Sequence, residues 1–141
     1  MMSERCVLVR PGEGAEGTTG VTYAAGVSAS TAGARGLCLE LATLPPGARG
    51  RAHFHADHES AAYVLQGELV LWFGERLEEK LVARAGDFLY IPGGVPHLPA
   101  NASATEPAIA VLARTDANEQ ESATALPALD ALPHLREEAT R

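Results

Sequence analysis

Glycine and proline interrupt this chain so regularly that long helices have no room to form. Pro45-Pro46-Gly47, Gly67, Ala85-Gly86, Pro92-Gly93-Gly94 and Pro107 divide the middle of the sequence into short apolar runs. Proline withholds a backbone donor and glycine takes turn conformations closed to other residues. Short runs rich in Val, Leu, Tyr and Phe between such breaks predict strands. The expected strands are 5–10, a weak edge strand around Val21-Thr22-Tyr23, 37–44, 51–55, 60–65, 68–73, 77–84, 87–91 and 107–113. A chain of 141 residues accommodates one domain. The expectation is therefore an all-β domain over residues 1–115. Residues 116–141, with Pro127 and Pro133 and only short apolar stretches, read as an extended arm, partly disordered, with one helical turn near Glu137.

Charge excludes some partners. The net charge is −7 and Lys80 is the sole lysine, so the positive stripe needed to displace counterions from nucleic acid is missing. An anionic membrane is disfavoured for the same reason. The longest apolar runs fall far short of a membrane span. The N-terminus lacks the apolar core and small-residue cleavage site of a secretion signal, and a cytoplasmic location is expected. Cys6 and Cys38 are too few for a disulfide scaffold and read as reduced. Leu69-Val70-Leu71-Trp72-Phe73 and Ile109-Ala110-Val111-Leu112 are apolar at every position, so both faces of each strand need cover. An N-terminal strand or a second subunit would supply it, and a homodimer is expected.

Histidine placement carries the chemistry. His53 and His55 are two apart, which puts both on one face of a strand. Two neutral imidazoles on a rigid strand make a bidentate site for a divalent metal. His97, just after the Pro92-Gly93-Gly94 turn, closes such a site if its strand folds over the first. His58 lies close by, and Glu59 offers a carboxylate.

These residues fall in a pattern that resembles the cupin superfamily. Its first motif runs Gly, five residues, His-x-His, three or four residues, Glu, six residues, Gly. Here Gly47 is followed by five residues, His53-Phe54-His55, three residues and Glu59. The second motif runs Gly, five residues, Pro-x-Gly, two residues, His, three residues, Asn. Gly86, Pro92-Gly93-Gly94, His97 and Asn101 match every fixed position. One departure concerns the carboxylate: counted forward from His55 it falls on Glu59, but counted back from Gly67 it falls on Ser60. A β-bulge near Glu59 would reconcile the two ends. Glu59 is the expected fourth ligand, with Ser60 and His58 as alternatives.

The resemblance implies a cupin-type antiparallel β-barrel, also described as a double-stranded β-helix or jelly roll. It further implies one divalent transition metal per chain (Fe, Mn, Ni, Zn or Cu) on His53, His55, Glu59 and His97. Asn101 would satisfy turn backbone groups. The function expected from it is an iron- or manganese-dependent dioxygenase acting on a small chelating metabolite. A lyase or isomerase using the metal as Lewis acid, or a non-catalytic small-molecule-binding cupin, are the alternatives. Phe54, Tyr63, Trp72, Phe73 and Tyr90, the large side chains near the motifs, are expected to wall the substrate pocket.

Overall fold

The computed structural model describes residues 4–12, 14–16, 20–118 and 122–135. In chain order the strands are β1 (Ala15–Glu16), β2 (Thr22–Val27), β3 (Cys38–Leu44), β4 (His53–Phe54), β5 (Ser60–Gln66) and β6 (Glu68–Phe73). They continue as β7 (Glu79–Arg84), β8 (Phe88–Ile91), β9 (His97–Ala100), β10 (Ala108–Arg114) and β11 (Thr124–Ala125). A single helical turn, α1 (Ala29–Ala32), follows β2, and a 3-10 helix, Pro127–Ala131, follows β11. Every described strand pairing is antiparallel. The strands form two sheets, one in the order β1-β2-β3-β10-β5-β8 and the other β11-β4-β9-β6-β7. Neighbours in space that are distant in sequence, such as β3 with β10, give the jelly-roll arrangement.

The main core lies between the sheets. Alternation sends Ala62 and Val64 of β5, Leu69 and Leu71 of β6, Leu89 of β8, and Ala108 and Ala110 of β10 into it, with Val21, Leu44 and Ala83. The intervening residues of β6, Val70 and Trp72, point the other way into a second core with Ala52, Leu77, Leu98, Ala100 and Leu135. The second face of β6 is thus covered by this chain's own C-terminal segment. Leu126, Leu129 and Leu132 pack on that core too. Their spacing of three matches the 3-10 repeat. The backbone follows it, with the amides of Leu129, Leu132 and Leu135 donating to the carbonyls of Leu126, Leu129 and Leu132. Residues 122–135 are therefore packed structure and not an extended arm; the helical turn expected near Glu137 lies outside the described residues.

Other differences are local. Residues 4–12 form no strand; Val9 and Pro11 instead lie beside Leu39, Leu41 and Val111 on the outer face of the first sheet. Thr22 and Tyr23 open a six-residue strand, β2, that pairs with both β1 and β3, and Val21 lies just before it. β7 begins at Glu79 because Leu77 occupies a turn with φ of 53°, its amide bonded to the Gly74 carbonyl. The strand expected over 51–55 shortens to His53–Phe54. Cys6 and Cys38 are not bridged. No helix among the described residues is long and apolar enough to cross a membrane.

Candidate metal centre

β4 presents His53, and β9 opens on His97 directly opposite it in the ladder. His55 follows one step beyond β4 on the same face. The three are buried, and one ligating atom from each lies within 4.8 Å of the others. Ring centroids are 4.3 Å apart for His53 and His97, 4.8 Å for His53 and His55, and 5.3 Å for His55 and His97.

Each ring is oriented through its Nδ1. His53 Nδ1–H donates to the Arg51 carbonyl at 2.6 Å and His97 Nδ1–H to the Val95 carbonyl at 2.9 Å. His55 Nδ1–H donates to the carbonyl of Ser122, a residue 67 positions away, at 2.7 Å. A carbonyl can only accept, so each bond places the proton on Nδ1 and leaves Nε2 as the basic nitrogen. Metal-ligating histidines are held in this way. Around a bound ion with bonds of about 2.1 Å, nitrogens sit about 3 Å apart, so an adjustment of roughly an ångström or two completes the site. The donor set fits a divalent transition metal.

The chain around the histidines is held by the second motif. Gly94, at φ of 79°, donates its amide to the His55 carbonyl at 2.7 Å. Only glycine takes that conformation without strain. Asn101 is buried; its Nδ2 reaches the carbonyls of Leu44, Pro45 and Glu106, and its Oδ1 accepts the Ser103 amide. It joins two loops, the structural part expected of it.

The fourth position differs from expectation. Glu59 is exposed and outside the histidine cluster; its backbone exchanges hydrogen bonds with Thr115. Ser60 is the buried residue, 4% exposed, and it lines the cavity beside His53 and His97. The irregularity sits at the far end of β5: opposite β10, Gln66 pairs with Ile109 but Val64 with Ala110, leaving Leu65 as the extra residue. The bulge therefore lies at Leu65 and does not turn Glu59 inward. His58 is buried against His55, centroids 4.4 Å apart, with Nδ1 3.6 Å from an Asp116 carboxylate oxygen.

The cavity beside His53 and His97 has a volume of about 60 Å³. Its walls are aliphatic, among them Leu44, Leu69, Leu71, Leu89 and Leu112, with Ser60 and Tyr23 as the polar residues besides the histidines. None of the five aromatic residues expected to wall it does so. Tyr63 and Tyr90 alternate outward from Ala62 and Leu89, Phe54 outward from His53, and Trp72 into the second core. Phe73 and Tyr90 border a separate hollow with Leu81 and Val95. Tyr23 was missed because its strand lay in a weakly patterned stretch.

Known proteins share this fold. Residues 40–113, just over half of the chain, match the family described as Cupin domain. No curated protein matches. Among solved structures, TT1209 from Thermus thermophilus is 29% identical, with 59% of this chain and 75% of that one covered and a TM-score of 0.52. Oxalate decarboxylase from Bacillus subtilis is 20% identical over 92% of this chain, at a TM-score of 0.67. The match covers 34% of the decarboxylase chain, about a third of its length. KdgF from Halomonas sp. is 19% identical, covering 72% of this chain and 87% of its own, with a TM-score of 0.56. The last two likenesses concern the fold alone. With both motifs in place, the histidines converged and the family matched over most of the jelly roll, the chain belongs to the cupin family.

Proposed function

We propose that this cupin holds one divalent transition metal on His53, His55 and His97 and acts as an iron- or manganese-dependent dioxygenase on a small chelating metabolite. The observation that carries the reading is the convergence of three imidazoles, each fixed through Nδ1, at the edge of an apolar cavity. A bound ion would supply Lewis acidity and, if iron or manganese, one-electron chemistry towards dioxygen. Three neutral donors leave its charge unbalanced and about three positions of an octahedral shell open, which favours an anionic, bidentate head group. Leu69, Leu71 and Leu89 keep water from the reacting face.

The cavity also limits the body of the substrate. Among the described residues no Asp, Glu, Lys or Arg lines it, and a second charge buried there would be desolvated at a cost on the order of several kcal/mol. A cavity of about 150 Å³ accepts benzene, so the 60 Å³ here takes a body of only a few non-hydrogen atoms.

Elemental analysis of protein purified without an affinity tag tests the metal. About one ion per chain is expected in the wild type and a near-complete loss in His97→Ala; equal metal in both would refute the site. Oxygen uptake by the iron- or manganese-loaded protein over a panel of short chelating acids and diketones tests the reaction. Zinc or nickel as the native ion, with no oxygen uptake, would replace the dioxygenase by Lewis-acid chemistry at the same residues.

A further inference from the structure

The strand that carries His53 depends on a segment far away in sequence. Without β11, β4 would be a two-residue edge strand, paired only with β9. β11 covers that edge, Thr124 opposite Phe54 and Ala125 opposite His53. The same segment binds the backbone just before β4 and the side chain just after it. The Leu126 amide donates to the Ala52 carbonyl at 2.9 Å, and the Ala52 amide donates to Asp130 Oδ1 at 2.7 Å. Ser122 supplies the carbonyl that accepts from His55 Nδ1.

Independent contacts anchor this segment elsewhere. Arg49 donates to the Asp130 carbonyl at 2.9 Å. His134 Nε2 bonds the carbonyl of Leu77 at 2.8 Å, its ring edge-on to Trp72 with centroids 5.1 Å apart. Leu135, 1% exposed, closes the second core.

We infer that residues 122–135 are a working part of the metal centre, with docking of the segment and metal occupancy each favouring the other. The inference rests on the three histidines being a metal site. The physical link is the Ser122 carbonyl, which sets the tautomer and aim of the His55 ring. It is reinforced by the pairing that keeps β4 in register with β9. When the segment lifts, His55 loses the acceptor that keeps Nε2 unprotonated and directed inward, and β4 becomes a frayed edge. Changes to groups that orient metal-bound histidines typically cost about 10- to 100-fold in metal affinity. Linkage requires the reverse effect to be equally large: whatever the segment adds to metal binding, the metal adds to docking of the segment. Ser122, Asp130 and His134 are positioning residues in this sense.

Hydrogen exchange on the full chain, with and without saturating Zn²⁺, tests the coupling. General stabilisation by a bound ion slows every amide that exchanges through global unfolding, so β7, at the opposite edge of the same sheet, is the internal control. The amides of residues 124–126 and 128–130 should slow at least tenfold more than those of β7, and His97→Ala should abolish the difference. In parallel, Asp130→Ala should weaken Zn²⁺ binding about tenfold in a chelator competition, while Asp130→Asn, which keeps an oxygen acceptor, should recover most of it. If Asp130→Ala does not fold, exchange on the unaltered chain decides. Zn²⁺ binding with no selective slowing of residues 124–130 overturns the coupling and leaves the metal site standing. Absence of Zn²⁺ binding by the wild type overturns the metal reading, and the coupling with it.

Discussion

Ser60 stands where a carboxylate was expected, and the chain between His55 and Ser60 explains why. Alternation of side chains holds only within a continuous strand. β4 ends at Phe54 and β5 begins at Ser60, so facing restarts in the bend between them, and Ser60, Ala62 and Val64 take the inward positions. Counting the motif forward from His55 runs through that bend and lands on Glu59, which faces outward. Counting back from Gly67 was the better guide, since Gly67 is pinned: at φ of 76°, a Cβ there would lie 2.2 Å from the Pro107 carbonyl oxygen. Glu59→Gln is accordingly expected to leave metal affinity within about twofold of wild type. A calorimetric titration with Zn²⁺ checks this, and a tenfold loss would return Glu59 to the ligand set.

Among the elements, β3 and β10 show what strand patterning misses. They pair along their full lengths, from Cys38 opposite Arg114 to Leu44 opposite Ala108. At the Cys38 end an ion pair is buried inside the fold: Arg114 Nη1 lies 2.7 Å from Glu40 Oε1, both side chains 1% exposed. Arg114 also reaches the Asn118 carbonyl and Cys38 Sγ, with Tyr23 beneath its guanidinium. Neither charge stood out in the sequence, because an alternating strand with one Glu or Arg reads as polar outside. Removing one partner strands the other charge out of water, so Arg114→Met should cost about 3–5 kcal/mol in urea unfolding. Replacing both, as Glu40→Leu with Arg114→Met, should recover most of that loss. Equal destabilisation by the single and double variants would show that the pair acts through packing alone. The 3-10 segment, by contrast, left a readable signal in Leu126, Leu129, Leu132 and Leu135, since a repeat of three puts all four on one face of such a helix.

At the scale of the molecule, the expectation of a homodimer has to rest on a different surface. The second face of β6, one reason for expecting a partner, is covered internally by the C-terminal segment. Besides Val7, Leu8, Leu37 and Leu39, the large apolar groups left exposed lie on β5, β7 and β8: Tyr63, Leu65, Leu81, Phe88 and Tyr90, with Phe88 exposed to 83%. Phe88 rests on Tyr63 with ring centroids 4.8 Å apart, and β8 is an edge strand. An uncovered aromatic strip on an open edge is prone to pair with another copy. Sedimentation at micromolar protein should give a dimer that Phe88→Asp converts to a monomer; a monomeric wild type would rule the expectation out.

Turn residues, most of the strands between Leu37 and Ala113, the three histidines and the cupin motifs were legible from the sequence, because each depends on a few neighbouring residues. Proline, glycine and the two-residue repeat act locally, whatever the rest of the chain does. What stands beside the histidines was settled only in three dimensions. Whether Glu59 or Ser60 faces inward depends on where pairing partners interrupt a strand. The Ser122 carbonyl reaches His55 across 67 residues, and Asp130 reaches Ala52 across 78. A backbone carbonyl is the same in every residue and leaves no mark in a sequence, so packing of the second core decides which one meets the ring.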